Sequence, residues 1–137
     1  MREQALGRHL IVEVWGADPH VLDDVTALEQ LLLEAARAAH ATVIESVFHH
    51  FSPYGVSGVV VIAESHLTIH TWPEYGYAAI DIFTCGPKMD LEAAVDVIAR
   101  GLGGRMLQLE ISRGKAVLRD ARPSYAPTAA SVAGTAN

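Results

Sequence analysis

Cysteine is all but missing. Cys85 stands alone, which excludes an intrachain disulfide and any thiolate-rich metal cluster built from one chain, and fits a reducing compartment. Lysine is nearly as scarce: Lys88 and Lys115 are the only two. Neither lies in a motif of the kind that holds pyridoxal phosphate, so that cofactor is not expected. Ten basic residues face sixteen acidic ones, and a formal charge of -6 repels phosphate backbones, so nucleic acid is not an expected partner. No stretch approaches the ~18 apolar residues of a membrane-spanning helix. The opening MREQALGRHLIVEVWG has a short apolar run broken by Glu13 and no small-residue cleavage site, which argues against a secretory signal. A soluble, cytoplasmic protein is the expectation. With 137 residues, half of them apolar, the chain suits one core better than two.

What is there alternates between strand and helix signals. His9 to Trp15 is rich in β-branched and bulky residues and reads as a strand. Asp18-Pro19 supplies a capping carboxylate before a first-turn proline, and Val21, Val25, Leu28, Leu32, Ala35 and Ala39 follow at helical spacing, predicting one helix to about His40. Ala41 to Phe51 is β-like again and meets the turn Ser52-Pro53-Tyr54-Gly55. Val56 to Ala63 is apolar at both parities, which predicts a strand covered on both faces or pressed against another subunit. Leu67 to Trp72 and Tyr77 to Cys85 form two further strands around the turn Pro73-Glu74-Tyr75-Gly76. Asp90 caps a second helix through Leu102, Gly103-Gly104 ends it, and Arg105 to Ser112 is the last strand. The order predicts an α+β domain, a two-layer sandwich with two helices on one face of a mainly antiparallel sheet. The segment 120–137 is rich in Ala, Ser, Thr and Pro without periodicity and reads as a flexible tail.

Reactive side chains crowd between His49 and Cys85: His49, His50, Ser57, Glu64, Ser65, His66, His70, Glu74, Asp81 and Cys85. Turns and strand ends collect polar residues in any protein, but the whole set is denser than that explains. Zinc ligation by His66 and His70 fails on spacing, because HLTIHTW is β-branched and four residues of strand separate alpha carbons by ~13 Å. A cysteine hydrolase would use Cys85 with a histidine oriented by Asp81 or Glu74, yet Cys85 does not open a helix where the dipole would lower its pKa. The LGGR at 102–105 lacks the length and lysine of a phosphate-cradling loop. A third reading is a self-modifying site at Glu64-Ser65-His66. A serine held against the preceding carbonyl can convert the Glu64–Ser65 amide to an ester, and elimination followed by hydrolysis leaves a pyruvoyl ketone that works as an electron sink.

FHHFSPYGVSGVVVIAESHLTIHTWPEYGYAAIDIFTCG, from Phe48 to Gly86, closely resembles the signature block of the short prokaryotic S-adenosylmethionine decarboxylase proenzymes, a pyruvoyl-dependent family. Looser similarity runs from about Leu6 to Arg119, including GRHLIVEVWG. That family usually has a serine where Ala63 stands, a change expected to be tolerated. The resemblance implies a single domain, 1–119, cut between Glu64 and Ser65 into a 1–64 β chain and a 65–137 α chain. It implies that Ser65 becomes the pyruvoyl group and Schiff-base site, that His70 is the proton acceptor in processing, and that Ser57 assists that step. Cys85 matches the proton donor of decarboxylation, a role that suits a thiol since an ordinary thiol is mostly protonated at neutral pH. Phe51 and Trp72 are candidates for the sulfonium and adenine, because aromatic faces attract an unpaired cation. Glu74 is a candidate for the ribose hydroxyls. The implied cofactor is the pyruvoyl group, with no metal and no pyridoxal phosphate. The implied partners are S-adenosylmethionine and a second cleaved protomer. Two alternatives stay open: decarboxylation of another amino acid such as ornithine or arginine, and an uncleaved regulatory paralogue.

Geometry adds one requirement. If Val56 to Trp72 were one continuous strand, Ser57 and Ser65 would lie ~26 Å apart and Ser65 and His70 would point to opposite faces. A sharp reversal near Ala63 to Leu67, or a contribution from a second protomer, is therefore expected.

Overall fold

A computed structural model describes residues 5–114; Lys115, the 119 boundary and the tail 120–137 lie outside the described residues. Six strands, β1 (Gly7–Trp15), β2 (Val43–His50), β3 (Val56–Ile62), β4 (Ser65–Trp72), β5 (Tyr77–Thr84) and β6 (Arg105–Arg113), form one sheet in the order β2-β3-β4-β5-β1-β6. Every neighbouring pair is antiparallel. Three helices, α1 (Pro19–Leu22), α2 (Val25–Ala38) and α3 (Leu91–Leu102), accompany it, with α2 packed against α3. The α+β expectation therefore holds, and all of the sheet is antiparallel.

Strand alternation decides what is covered. Leu10, Val12 and Val14 of β1, Val56, Val60 and Ile62 of β3, Leu67 and Ile69 of β4, and Ile80 and Ile82 of β5 are buried together with Leu28, Leu32, Ala94 and Ile98 of the long helices. Their opposite-parity neighbours make a second, open face. The register lays out its rows: Leu109, Ile11, Asp81, Thr68, Val59 and Val47 lie side by side, and the next row runs Leu107, Glu13, Ala79, His70, Ser57 and His49. Of the two coverings expected for β3, the described residues supply one: Val60 meets the helices, while Val61, on the open face, is 37% exposed.

One element departs from the sequence pattern. The single helix expected from Asp18 to His40 is two, because Asp18 caps α1 by accepting from His20 N–H and Asp24 caps α2 by accepting from Ala27 N–H. The Leu22–Asp24 corner breaks the rod between the two caps. Asp90 caps α3 as expected, accepting from Ala93 N–H. Its own N–H is bonded to Ala39 O at the end of α2. After α3 the chain turns through Gly103 and Gly104 at φ +69 and +76, where a side chain on Gly104 would strike the Trp15 carbonyl.

Candidate active site

β3 and β4 are joined by two residues, Ala63 and Glu64, with Ile62 opposite Ser65. This is the expected reversal. Tight hairpins reserve positive φ for Gly, Asn or Asp, yet here Glu64 takes φ 73, a left-handed conformation that costs a residue bearing a Cβ about 1–2 kcal/mol. The Oγ of Ser65, immediately after it, is buried and has no hydrogen-bond partner among the described residues. Ser65 pairs with Thr84 across β4 and β5, so the exposed Cys85 stands one residue beyond its ladder partner. A Cβ built on Gly86 would lie 3.9 Å from Glu64 Oε1, which puts the Glu64 carboxylate beside the Cys85–Gly86 segment.

The same reversal sets Ser57 of β3 opposite His70 of β4, and Ser57 Oγ and His70 Nδ1 are 2.8 Å apart. A hydroxyl and an imidazole at that distance can exchange a proton. They open onto a cavity of about 260 Å³ whose walls include Phe51, Tyr54, Thr71, Trp72 and Glu74. Five of the residues singled out from sequence, Phe51, Ser57, His70, Trp72 and Glu74, thus meet in one place. Ser65 and Cys85 do not join them. Five residues of β4 separate Ser65 from His70, about 16 Å at strand rise, and odd spacing puts the two on opposite faces. Within one chain the two groups of residues stand apart.

Asp81 is not placed to orient a base for Cys85. Its carboxylate accepts from Thr68 Oγ1 and pairs with His9 Nε2 at 2.8 Å, with His66 Nε2 at 3.8 Å. Arg113 donates to His9 Nδ1 at 2.9 Å, which makes Nε2 the protonated nitrogen that donates to Asp81 when His9 is neutral. Burial alone would raise the Asp81 pKa, but the hydrogen bonds from Thr68 and His9 and the nearby imidazoles outweigh it and hold the carboxyl below its ordinary value.

Sequence reasoning passed over Asp23, Tyr54 and Thr71. Thr71, buried in β4, donates to Leu22 O at 2.7 Å and accepts from Val56 N–H at 2.9 Å. Asp23 Oδ1 accepts from His50 Nε2 and Gly55 N–H, both at 2.8 Å. These partners lie from 15 to 49 residues away in the chain, so no local pattern announces them.

Comparison with known proteins covers the segment that holds these residues. The family model described as S-adenosylmethionine decarboxylase matches residues 8–114. The chain is 55% identical over 111 residues to the S-adenosylmethionine decarboxylase proenzyme of Caldanaerobacter subterraneus subsp. tengcongensis, covering 80% of this chain and 90% of that one. It is 52% identical over 113 residues to the proenzyme of the same name from Thermotoga maritima, covering 82% and 87%. To the Pseudomonas aeruginosa proenzyme it is 57% identical over 100 residues, 73% of this chain and 62% of that longer one. The crystal structure of the adenosylmethionine decarboxylase from Aquifex aeolicus VF5 superposes with a TM-score of 0.76 at 32% identity, covering 91% of this chain and 99% of that one.

Proposed function

Because the chain belongs to the S-adenosylmethionine decarboxylase family, we propose that it is a lyase made as a proenzyme. It cuts itself between Glu64 and Ser65, converts Ser65 to a pyruvoyl group, and decarboxylates S-adenosylmethionine to S-adenosylmethioninamine, the aminopropyl donor for spermidine synthesis. The observation that carries this reading is the strained Glu64 joined to a buried Ser65 Oγ without a hydrogen-bond partner among the described residues. Such a hydroxyl gives up no existing bond when it attacks.

The processing step balances without an outside reagent other than water. Ser65 Oγ bonds to the Glu64 carbonyl carbon as the amide C–N bond breaks. Loss of the Ser65 α-proton then expels the Glu64 carboxylate, and water converts the dehydroalanine to a ketone with release of ammonia. The surroundings of Ser65 fit a group of that kind, since its Oγ is buried with no hydrogen-bond partner among the described residues and its ladder partner Thr84 immediately precedes Cys85. When present, the pyruvoyl ketone supplies the electron sink that pyridoxal phosphate supplies in other decarboxylases.

The remaining roles fall to the chain's own side chains. Phe51 and Trp72 present aromatic faces to the sulfonium and adenine, and Glu74 presents a carboxylate to the ribose hydroxyls. Cys85 returns a proton to the substrate α carbon once carbon dioxide has left. Ser57 and His70 form the proton-accepting pair of processing. Because that pair lies on the face opposite Ser65 and about 16 Å along the strand, the reading includes a second chain: a dimer of cleaved protomers in which each supplies one half-site.

The denatured mass of freshly purified protein and carbon dioxide release from carboxyl-labelled S-adenosylmethionine test the proposal together. Two pieces broken between residues 64 and 65, the larger with a carbonyl-reactive end, are expected, with Ser65→Ala staying whole and inactive. A wild-type chain that remains intact on prolonged incubation overturns the proposal. Carbon dioxide from ornithine or arginine but not from S-adenosylmethionine overturns the substrate.

A further inference from the structure

We propose that Asp23, which stands outside the cavity beside His70, is a positioning residue for substrate: its carboxylate holds the Phe51–Tyr54 wall in place and thereby sets affinity for the adenosyl part of S-adenosylmethionine. The proposal rests on reading that cavity as the substrate site.

The ladder between β2 and β3 ends at the His50–Val56 pair. Beyond it the four residues 51–54 project without strand partners. Phe51 N–H bonds to Gly55 O at 2.7 Å, which closes the loop on itself but does not set its angle to the rest of the cavity. Phe51 and Tyr54 are 46% and 45% exposed, so burial does not hold them firmly either. Asp23 supplies the missing restraint. Its Oδ1 accepts from His50 Nε2 and Gly55 N–H, the residues immediately before and after the loop's four.

The opposite wall is tied to the same corner of the chain. Leu22, adjacent to Asp23, accepts through its carbonyl from Thr71 Oγ1, and Thr71 in turn accepts from Val56 N–H. Thr71 sits between His70 and Trp72. Leu22 and Asp23 therefore bond both sides of the cavity, one through Thr71 and the other through the loop ends. Gly55 suits this arrangement, with φ +114 and a Cβ position 3.4 Å from the Thr71 carbonyl. The Gly55 N–H first, and the His50 imidazole to a lesser degree, keep the Asp23 carboxyl below its ordinary pKa despite opposing desolvation, so it is an acceptor at neutral pH. A half-exposed bracket of this kind adds little to global stability. Its effect is on where the loop stands when substrate arrives.

The test compares Asp23→Ala, Asp23→Asn, His50→Gln and Phe51→Ala in the full-length, self-cleaved protein. Each is read by KM and kcat for S-adenosylmethionine and by titration calorimetry with 5′-methylthioadenosine, which carries the adenosyl group but no carboxyl to lose. Asp23→Ala is expected to raise KM and the dissociation constant about tenfold, the equivalent of re-ordering one or two side chains on binding, with kcat within about twofold. Asp23→Asn, which still accepts from Gly55 N–H, gives a smaller rise, and His50→Gln, which keeps a donor, binds nearly as wild type. Wild-type KM in Asp23→Ala while Phe51→Ala raises it overturns the bracket alone. A fall in kcat at constant KM also overturns it, since that is the mark of lost folded protein. If Phe51→Ala leaves both constants unchanged, the cavity is not the adenosyl site and the two readings fall together.

Discussion

Tyr77 shows how much of the open face is set by single contacts. Its ring lies between Trp15 and Trp72, at centroid distances of 4.4 and 5.3 Å, and its hydroxyl donates to Glu13 Oε2 at 2.7 Å. Desolvation first, and the Glu13 hydrogen bond and charge next, push the phenol up to about 12. A folded-state pKa above the unfolded one stabilises the protein fully below the unfolded value near 10 and less and less as pH rises through about 12. The near-ultraviolet difference titration of wild type against Tyr77→Phe isolates this group and is expected to show a midpoint near 12, lowered by Glu13→Gln; a midpoint unmoved by that change assigns the shift to desolvation alone. At this scale the sequence places in one contiguous block five residues that share a cavity, Phe51, Ser57, His70, Trp72 and Glu74, and gives no sign that Ser65 and Cys85 stand apart from them. It was read badly where a residue's meaning is its distant partner. Asp81 is held by His9 and Thr68 and Asp23 by His50 and the Gly55 N–H, and nothing near either residue in the chain announces those partners.

Elements were legible from their periodicity, and their breaks were not. Val21 and Val25 continue the helical spacing straight across the corner at Asp23 and Asp24, so the pattern cannot register that each flanking helix has its own capping aspartate. The β3–β4 reversal is expected from the separation of Ser65 from Ser57 and His70, although it joins Ser57 to His70 instead and Ala63-Glu64 is a poor turn sequence. That mismatch is the informative feature. A residue other than glycine at positive φ is retained at a cost of about 1–3 kcal/mol, and such sites concentrate where strain is used. Replacing Glu64 by Gly in a Ser65→Ala background, where no cut intervenes, is expected to stabilise the uncut chain by about 1 kcal/mol in urea denaturation. With Ser65 present, Glu64→Gly is expected to slow self-cleavage, because the turn no longer holds the scissile amide in a high-energy conformation. A variant that gains no stability and cuts at the wild-type rate shows that the turn stores nothing.

For the molecule as a whole, the sheet has one face closed by helices and one that a lone chain leaves open. Val47, Val61, Leu107, Leu109 and Ile111 are between 37% and 66% exposed there, around the polar centre of His9, Asp81, Thr68 and Arg113. Exposed apolar area of this kind on a whole sheet face is a feature of surfaces that pair. The proposed processing gives a second reason for a partner chain. Ser65 lies in the row of Arg8, Thr84 and Ile62, on the helix side, whereas His70 lies in the row of Glu13, Ala79 and Ser57, on the open side. No rotamer change spans about 16 Å of strand, so if His70 serves Ser65 it serves the Ser65 of the other protomer. Co-expression of differently tagged Ser65→Ala and His70→Ala chains separates the possibilities. Each variant alone is expected to stay uncut, the first for want of the nucleophile and the second for want of the base. In the mixed dimer one complete site forms, from Ser65 of the His70→Ala chain and His70 of the Ser65→Ala chain, and the His70→Ala chain is cut while its companion is not. Cleavage of His70→Ala by itself removes His70 from processing. Mixed dimers that assemble yet stay uncut show that each protomer processes itself, and that the approach of the two half-sites must come from a rearrangement within one chain.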